Sequence, residues 1–266
     1  MVGDPPILEV RNLSKAYPGL VAVEDVSLDL RKHEFVSIIG PSGCGKSTLL
    51  EMIAGLVPIT GGKVVIKGQA EINSHPSTGI VFQQESIFPW RTTLENIEFG
   101  LQMHGVPREI RREKSLKVIE MIGLDGFEHR YPGELSGGMR QRVAIGRALV
   151  MEPEILLMDE PFGALDEQTR IILGEELLRI QQQSGQTILF VTHNINEAVQ
   201  LSNRVVVMTA RPGKIKAILE IDLERPRTSE IIASEEFGRY VGQLWMLLRE
   251  ESLKGFKQAG QRQPHD

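Results

Sequence analysis

The sequence predicts an α/β fold built on a mainly parallel sheet, and three observations predict it. A short apolar run at 35–39 (Phe-Val-Ser-Ile-Ile) ends at Gly40 and is followed by a glycine-rich stretch and a helix-forming segment. Three more short, nearly all-apolar runs appear late in the chain, at 155–158, 187–191 and 205–208, as strands covered on both faces do. Between the first two of these, Leu173, Leu177 and Ile180 recur at i, i+4 and i+7, so strand, helix and strand alternate in the order that gives parallel neighbours.

The elements follow in chain order. Val26, Leu28 and Leu30 alternate with Ser27 and Asp29, the period of a half-buried strand. Residues 35–39 read as a buried strand, 47–54 as a helix, and 63–66 and 79–82 as further strands. From Thr93 to about Val150 the chain is charged and helical spacing dominates. Leu116, Ile119 and Ile122 are expected on one helix face, with Pro107 near its start and Gly123 near its end. A last helix is expected over 234–251, with a loose polar tail after Gly255.

Bulk properties narrow the class. With 266 residues, 41% of them hydrophobic and 24% charged, the chain can bury a sizeable core. A formal net charge of −5 argues against a protein whose main partner is nucleic acid. Cys44 is the single cysteine, so no intrachain disulfide is available, which fits a reducing compartment. The N-terminus has no basic segment followed by an apolar run, so no signal peptide is expected. No stretch of about 18 apolar residues occurs, so action at a membrane is expected to run through a partner.

Residues 40–48 (Gly-Pro-Ser-Gly-Cys-Gly-Lys-Ser-Thr) satisfy the phosphate-binding loop pattern at Gly40, Gly45, Lys46 and Ser47. Glycines let the backbone curl so that successive N–H groups face one phosphate, and the following helix offers its positive end. The pattern sits between a strand and a helix, as that chemistry requires. The whole loop, Gly40, Pro41, Ser42, Gly43, Cys44, Gly45, Lys46, Ser47 and Thr48, is therefore expected to hold nucleoside triphosphate. Lys46 is placed for the β- and γ-phosphates and the Ser47 hydroxyl for Mg2+. Cys44 reads as a tolerated small residue, or as a thiol activated by the helix end and open to alkylation.

A second site follows the run at 155–158, which ends in two carboxylates. Asp159 is placed to hold Mg2+ and Glu160 to polarise the attacking water.

Further segments carry a family resemblance. Leu135-Ser136-Gly137-Gly138-Met139 resembles the LSGGQ signature of ABC ATPases, with Met139 where glutamine is usual. Gln83 resembles the glutamine of the Q-loop, Gly163-Ala164-Leu165-Asp166 the D-loop, and His193 the switch histidine, followed by Asn194 where an acidic residue is usual. Tyr17 is similar to the aromatic that stacks on adenine, and Pro153 and Pro161 also fit. Their order covers residues 7 to about 225.

The resemblance implies an α/β P-loop NTPase: a RecA-like core, an N-terminal antiparallel β portion and a helical ABC signature subdomain. It places the ATPase domain at 1–225, the helical subdomain at about 85–150 and a C-terminal helical extension with a polar tail at 226–266. It implies ATP hydrolysis with Mg2+. Glu160, His193, Gln83 and Lys46 would act on the γ-phosphate and water, with Ser47, Gln83 and Asp159 as metal ligands. Ser136, Gly137 and Gly138 would form a second anion site serving the ATP of a partner copy in a head-to-tail dimer. Arg140 and Arg142 read as residues that support the fold.

A narrower resemblance rests on Phe88-Pro89-Trp90-Arg91, on 159–166, on Thr209-Ala210-Arg211-Pro212 and on Arg225-Pro226-Arg227. These are similar to the nitrate, sulfonate, taurine and bicarbonate import group. That implies separate integral membrane permease subunits, a periplasmic or lipid-anchored substrate-binding protein, a second ATPase subunit and a place on the cytoplasmic face of the cell membrane. Phe88, Trp90 and Leu94 are candidate permease contacts, or else pack inside the helical subdomain.

Overall fold

The structure, a computed structural model, describes residues 5–71 and 77–260. They fall into two compact units, one drawn from the chain up to His75 and from Thr187 onward, the other Pro76–Gln186.

The first unit opens with β1 (Leu8–Tyr17), β2 (Leu20–Leu30), β3 (Phe35–Ile39), α1 (Lys46–Ile53), β4 (Gly61–Ile66) and β5 (Gln69–Glu71). Four of these strands form an antiparallel sheet in the order β2-β1-β4-β5. Leu8 stands between Leu30 and Ile66, and Val10 between Leu28 and Val64. The alternation at Val26, Leu28 and Leu30 is thus used as expected, and all three are buried. β3 is buried along its whole length, because it belongs to a different, parallel sheet.

The second unit holds β6 (Thr78–Val81), α2 (Thr93–Ile97), α3 (Phe99–Met103), α4 (Arg108–Met121), α5 (Gly137–Leu149), β7 (Ile155–Asp159) and α6 (Glu167–Ser184). β6 and β7 pair in parallel, Thr78 beside Ile155 and Val81 beside Met158. The helices pack tightly where α5 carries Gly146. A Cβ there would lie 2.9 Å from Ile122, 3.2 Å from Ile97 and 3.3 Å from Val118. The buried stripe associated with α4 is Ser115, Val118, Ile119 and Ile122, at i, i+3, i+4 and i+7. Leu116 was expected on that face and is 40% exposed instead. A spacing of three drifts off a stripe that repeats every 3.6 residues.

The first unit resumes with β8 (Thr187–Val191), α7 (Ile195–Leu201), β9 (Arg204–Met208), β10 (Ile215–Glu220) and α8 (Glu235–Gly260). β3 lies between β8 and β9, parallel to both, and β10 runs antiparallel to β9. Ile39, Val205 and Val207 build one core with Ala198 and Val199 of α7 and with Phe237, Leu244 and Leu248 of α8. α8 continues past the expected end at 251, through Gly255 to Gly260. The remainder of the expected polar tail, 261–266, lies outside the described residues.

Candidate functional site

In the first unit the phosphate loop leaves β3 at Gly40, which is close to the neighbouring strand. A Cβ there would lie 2.8 Å from the Cys44 sulfur and 3.1 Å from Met208 Cβ. Gly45 has φ +108, and a side chain on it would lie 2.8 Å from the Ala22 carbonyl oxygen. Only glycine combines that backbone with that space. Lys46 is buried, and its ammonium donates to the carbonyls of Gly40 (3.1 Å) and Pro41 (3.3 Å), so it lies against the loop it follows. Ser42, Gly43 and Ser47 are exposed and Thr48 is half-buried. α1 begins after Gly45, which has no side chain with which to cap its first turn.

Cys44 is 1% exposed, and burial pushes its thiol up, outweighing the charge of Lys46. The activated thiol is therefore corrected to the small, buried alternative. Tyr17 is 40% exposed at the end of β1. The Lys15 ammonium lies 4.9 Å from its ring centroid and donates to the Pro58 carbonyl at 2.6 Å. His193 is exposed at the end of β8, between buried Thr192 and the N-terminus of α7. Asn194 caps that helix, its side-chain oxygen accepting from the N–H groups of Asn196 (2.8 Å) and Glu197 (3.2 Å). Asparagine therefore keeps the capping role an acidic residue would have.

In the second unit β7 delivers Asp159 and Glu160, both half-buried, after four fully buried residues. Glu160 has φ +41, and the Gly163 N–H donates to its carbonyl at 3.0 Å. Gln83 is exposed just after β6. Ser136 is the N-cap of α5, its hydroxyl accepting from Met139 N–H at 3.3 Å. Gly138 abuts α6: a Cβ on it would lie 3.2 Å from Thr169 Cγ2. Met139 contributes its N–H to the cap, which any residue type supplies. Arg140 donates to the Glu85 carboxylate (2.7 Å) and the Leu135 carbonyl (2.9 Å), and Arg142 to the carbonyls of Ile122 (3.2 Å) and Gly123 (3.0 Å). Both arginines stitch loops to α5.

Trp90 is 70% exposed and Leu94 only 2%. Of the two readings open for it, Leu94 takes the core one. Phe88 is half-buried, its ring 4.7 Å from Phe99 and 5.5 Å from Trp90.

The family profile described as ABC transporter matches residues 23–163. The chain belongs to the ABC transporter family. An ABC transporter ATP-binding protein of Methanocaldococcus jannaschii is 50% identical over 254 residues, 94% of each chain. An aliphatic sulfonates import ATP-binding protein of Bacillus cereus is 44% identical over 247 residues, 93% of each. Among solved structures, a dimeric bacterial ABC transporter cassette aligns over 82% of this chain and all of its own, with TM-score 0.70 and 34% identity. The same cassette in a post-hydrolysis state bound to ADP and phosphate aligns at TM-score 0.70.

This ABC ATPase cassette thus has the P-loop NTPase fold its sequence predicts. In the first unit, glycine-curled backbone and Lys46 suit phosphate and the Ser47 hydroxyl is a hard oxygen donor of the kind Mg2+ takes; in the second unit, the oxygens of Gln83 and Asp159 are donors of the same kind. No helix among the described residues is long and apolar enough to cross a membrane. Three residues escaped the sequence reading as individuals. Arg211 donates to the Gly43 carbonyl, Glu251 accepts from Ala210 N–H, and Arg227 donates to the carbonyls of Val199, Ser202, Ile221 and Leu223. The only sequence signal of Arg211 and Arg227 was membership in the Thr-Ala-Arg-Pro and Arg-Pro-Arg runs, and Glu251 stood out only as the end of the helix expected over 234–251.

Proposed function

We propose that this ABC ATPase is the ATP-binding subunit of an importer for a small anion of the nitrate, sulfonate, taurine or bicarbonate class. One observation carries the reading. Aliphatic sulfonates import ATP-binding proteins of Bacillus cereus, Bacillus thuringiensis and Bacillus anthracis are 43–45% identical to it over 88–96% of its length.

In this reading the loop at 40–48 holds the phosphates and Tyr17 the adenine. Lys46 neutralises charge on the phosphates. Ser47, Gln83 and Asp159 would hold Mg2+, which would supply charge neutralisation on the phosphate oxygens. Glu160 takes a proton from the attacking water as its oxygen bonds to the γ-phosphorus and the bond from that phosphorus to the β–γ bridging oxygen breaks, so that ADP leaves; His193 steadies the γ-phosphate, and Gln83 reports its presence. Ser136, Gly137 and Gly138 offer N–H and hydroxyl donors to the ATP of a second copy. ATP then favours the paired state and hydrolysis releases it, a differential-affinity switch. The pair would work on the cytoplasmic face of the membrane against separate permease subunits, supplied by a substrate-binding protein outside.

Two measurements test this. Purified protein should release phosphate from ATP only with Mg2+ present, and Lys46→Ala should abolish release. In a bacterium lacking its sulfonate-import ATPase, the gene and its cognate permease should restore growth on an alkanesulfonate as sole sulfur source. Restoration by nitrate or bicarbonate uptake alone would move the substrate within the class, and failure of all of them would reject the class.

A further inference from the structure

The Thr209–Pro212 run, which entered above only as a point of likeness, lies against the phosphate loop. Arg211 places two guanidinium nitrogens on one acceptor, the Gly43 carbonyl, with Nη2 at 2.6 Å and Nε at 3.1 Å. The contact is exposed, where a single hydrogen bond adds little to folding stability. Its value lies in geometry. The peptide unit is planar, so fixing the direction of the Gly43 carbonyl fixes the Cys44 N–H that points the opposite way. That N–H points back into the loop, toward the Pro41 carbonyl at 3.2 Å. Gly43 has φ +72 and no Cβ, so no side chain at 43 holds this peptide, and its orientation rests on two contacts, Arg211 on the carbonyl and the Pro41 carbonyl on the N–H.

The turn that carries Arg211 is itself fixed. Gly213 donates to the Ala22 carbonyl at 2.9 Å, and its own carbonyl accepts from Glu24 N–H at 3.0 Å. A Cβ on Gly213 would lie 2.2 Å from the Cys44 carbonyl oxygen, so the turn touches the loop at a second peptide. Thr209 closes the turn, donating to the Pro212 carbonyl at 2.9 Å and accepting from Lys214 N–H at 3.0 Å. On its far side the Ala210 N–H donates to the Glu251 carboxylate of α8 at 3.0 Å. Glu251 is 2% exposed and also accepts from Lys216 (3.1 Å) and Lys254 (2.7 Å). One helical turn further, Gly255 of α8 lies beside Pro41, close enough that a Cβ would be 3.7 Å from the proline's.

We infer that Arg211 is a positioning residue for the phosphate loop, and that Glu251 of the C-terminal helix sets it, so that nucleotide affinity depends on how α8 is seated. This rests on the reading above that residues 40–48 hold the phosphates of ATP.

The test uses the full-length protein with Mg2+-ATP and Mg2+-ADP, reading Kd by calorimetry, KM and kcat by phosphate release, and the thermal midpoint. Arg211→Ala should raise Kd and KM for ATP about tenfold, the weight of one charge-assisted hydrogen bond. Its kcat should stay within about twofold and its midpoint within about 2 °C, because only the loop's ground-state order is lost. Arg211→Lys, which keeps one donor, should fall between. Glu251→Gln retains an acceptor for Ala210 N–H while losing the ion pairs, and should shift Kd in the same direction by less. The double variant should be no weaker than Arg211→Ala alone, since both act through one carbonyl. Wild-type Kd and KM in Arg211→Ala would overturn the inference, and so would a double variant whose losses multiply. If Glu251→Gln does not fold, the Arg211 variants decide alone. Lys46→Ala separates the two levels: if it binds ATP as tightly as wild type, the phosphate-loop reading fails whatever Arg211 does.

Discussion

The Gly163 N–H donates to the Glu160 carbonyl at 3.0 Å and closes the turn that holds Glu160 at φ +41 directly after β7. A non-glycine residue in the left-handed region stores about 1 kcal/mol or more, and here buried Pro161 and Phe162 keep it there. Glu160→Ala removes only the carboxylate, whereas Glu160→Gly also removes the strained Cβ. We predict that the glycine variant is more stable than the alanine one by roughly 1 kcal/mol in urea denaturation. Both, like Glu160→Gln, should lose turnover by about 100-fold or more while still binding ATP. Equal stability of the glycine and alanine variants would show that the turn stores no strain, and undiminished phosphate release would remove Glu160 as the base.

Glu251 gives a pH prediction with a definite sign. Burial alone would raise its carboxyl, but hydrogen bonds from Lys254, Ala210 N–H and Lys216, with the charge of Lys216, hold it down at about 2. The folded value lies below the unfolded one, so its contribution is complete above the usual carboxylate range and disappears as pH falls toward 2. Between pH 5 and 2, wild type should lose roughly 3 kcal/mol at most beyond the loss in Glu251→Gln. Parallel stability curves for the two proteins would mean the carboxylate is no better solvated folded than unfolded.

Cys44 should be slow to alkylate. A buried thiol pushed up in pKa is mostly protonated at neutral pH and out of reach, and the thiolate is the nucleophile. N-ethylmaleimide should label the native protein at least about tenfold more slowly than the urea-unfolded chain at the same pH. Saturating ATP should add little protection, because the fold already provides it. Rapid native labelling that ATP suppresses would restore the activated thiol.

The parts of this fold that were legible in sequence are those a few adjacent residues decide. Phe35–Ile39 followed by Gly40 to Lys46 declares strand, loop and helix at once, since glycine placement and apolar runs act locally. Asp159 and Glu160 were legible because a buried strand must end where its carboxylates meet water. The face of α4 was misread at Leu116, because a residue can sit three from Ile119 and still lie at the edge of the stripe. The length of α8 was understated because Gly255 and the polar residues after it read as a stop, while Glu251 is satisfied by Lys216 and Ala210 from distant chain. Arg227 illustrates the same limit. It is 3% exposed, and burial lowers its guanidinium to about 10 while main-chain carbonyls of α7 and of the segment before it surround it. Nothing in Arg-Pro-Arg distinguishes it from Arg225.

The last prediction separates partner contact from core within 88–96. Asn96 is fully buried on α2, accepting from Phe88 N–H at 2.7 Å and donating to the carbonyls of Phe88, Arg91 and Thr92 at 3.1, 2.9 and 3.0 Å. One side chain thus fixes the loop that presents Trp90 to solvent. The Trp90 ring is backed by Phe88, and Phe88 in turn lies against Phe99 and under the Arg147 guanidinium at 4.6 Å. A rigid, exposed tryptophan on a pinned loop has the character of an interface anchor. Trp90→Ala should change stability by less than about 0.5 kcal/mol and leave basal ATPase intact, yet reduce copurification with the permease. Leu94→Ala, four residues on, should instead cost about 2–5 kcal/mol, because it opens a cavity in the helical unit. Asn96→Ala should weaken permease capture without touching Trp90 itself, since it frees the loop that aims the ring. Full capture by both Trp90→Ala and Asn96→Ala would place the permease contact elsewhere on the cassette.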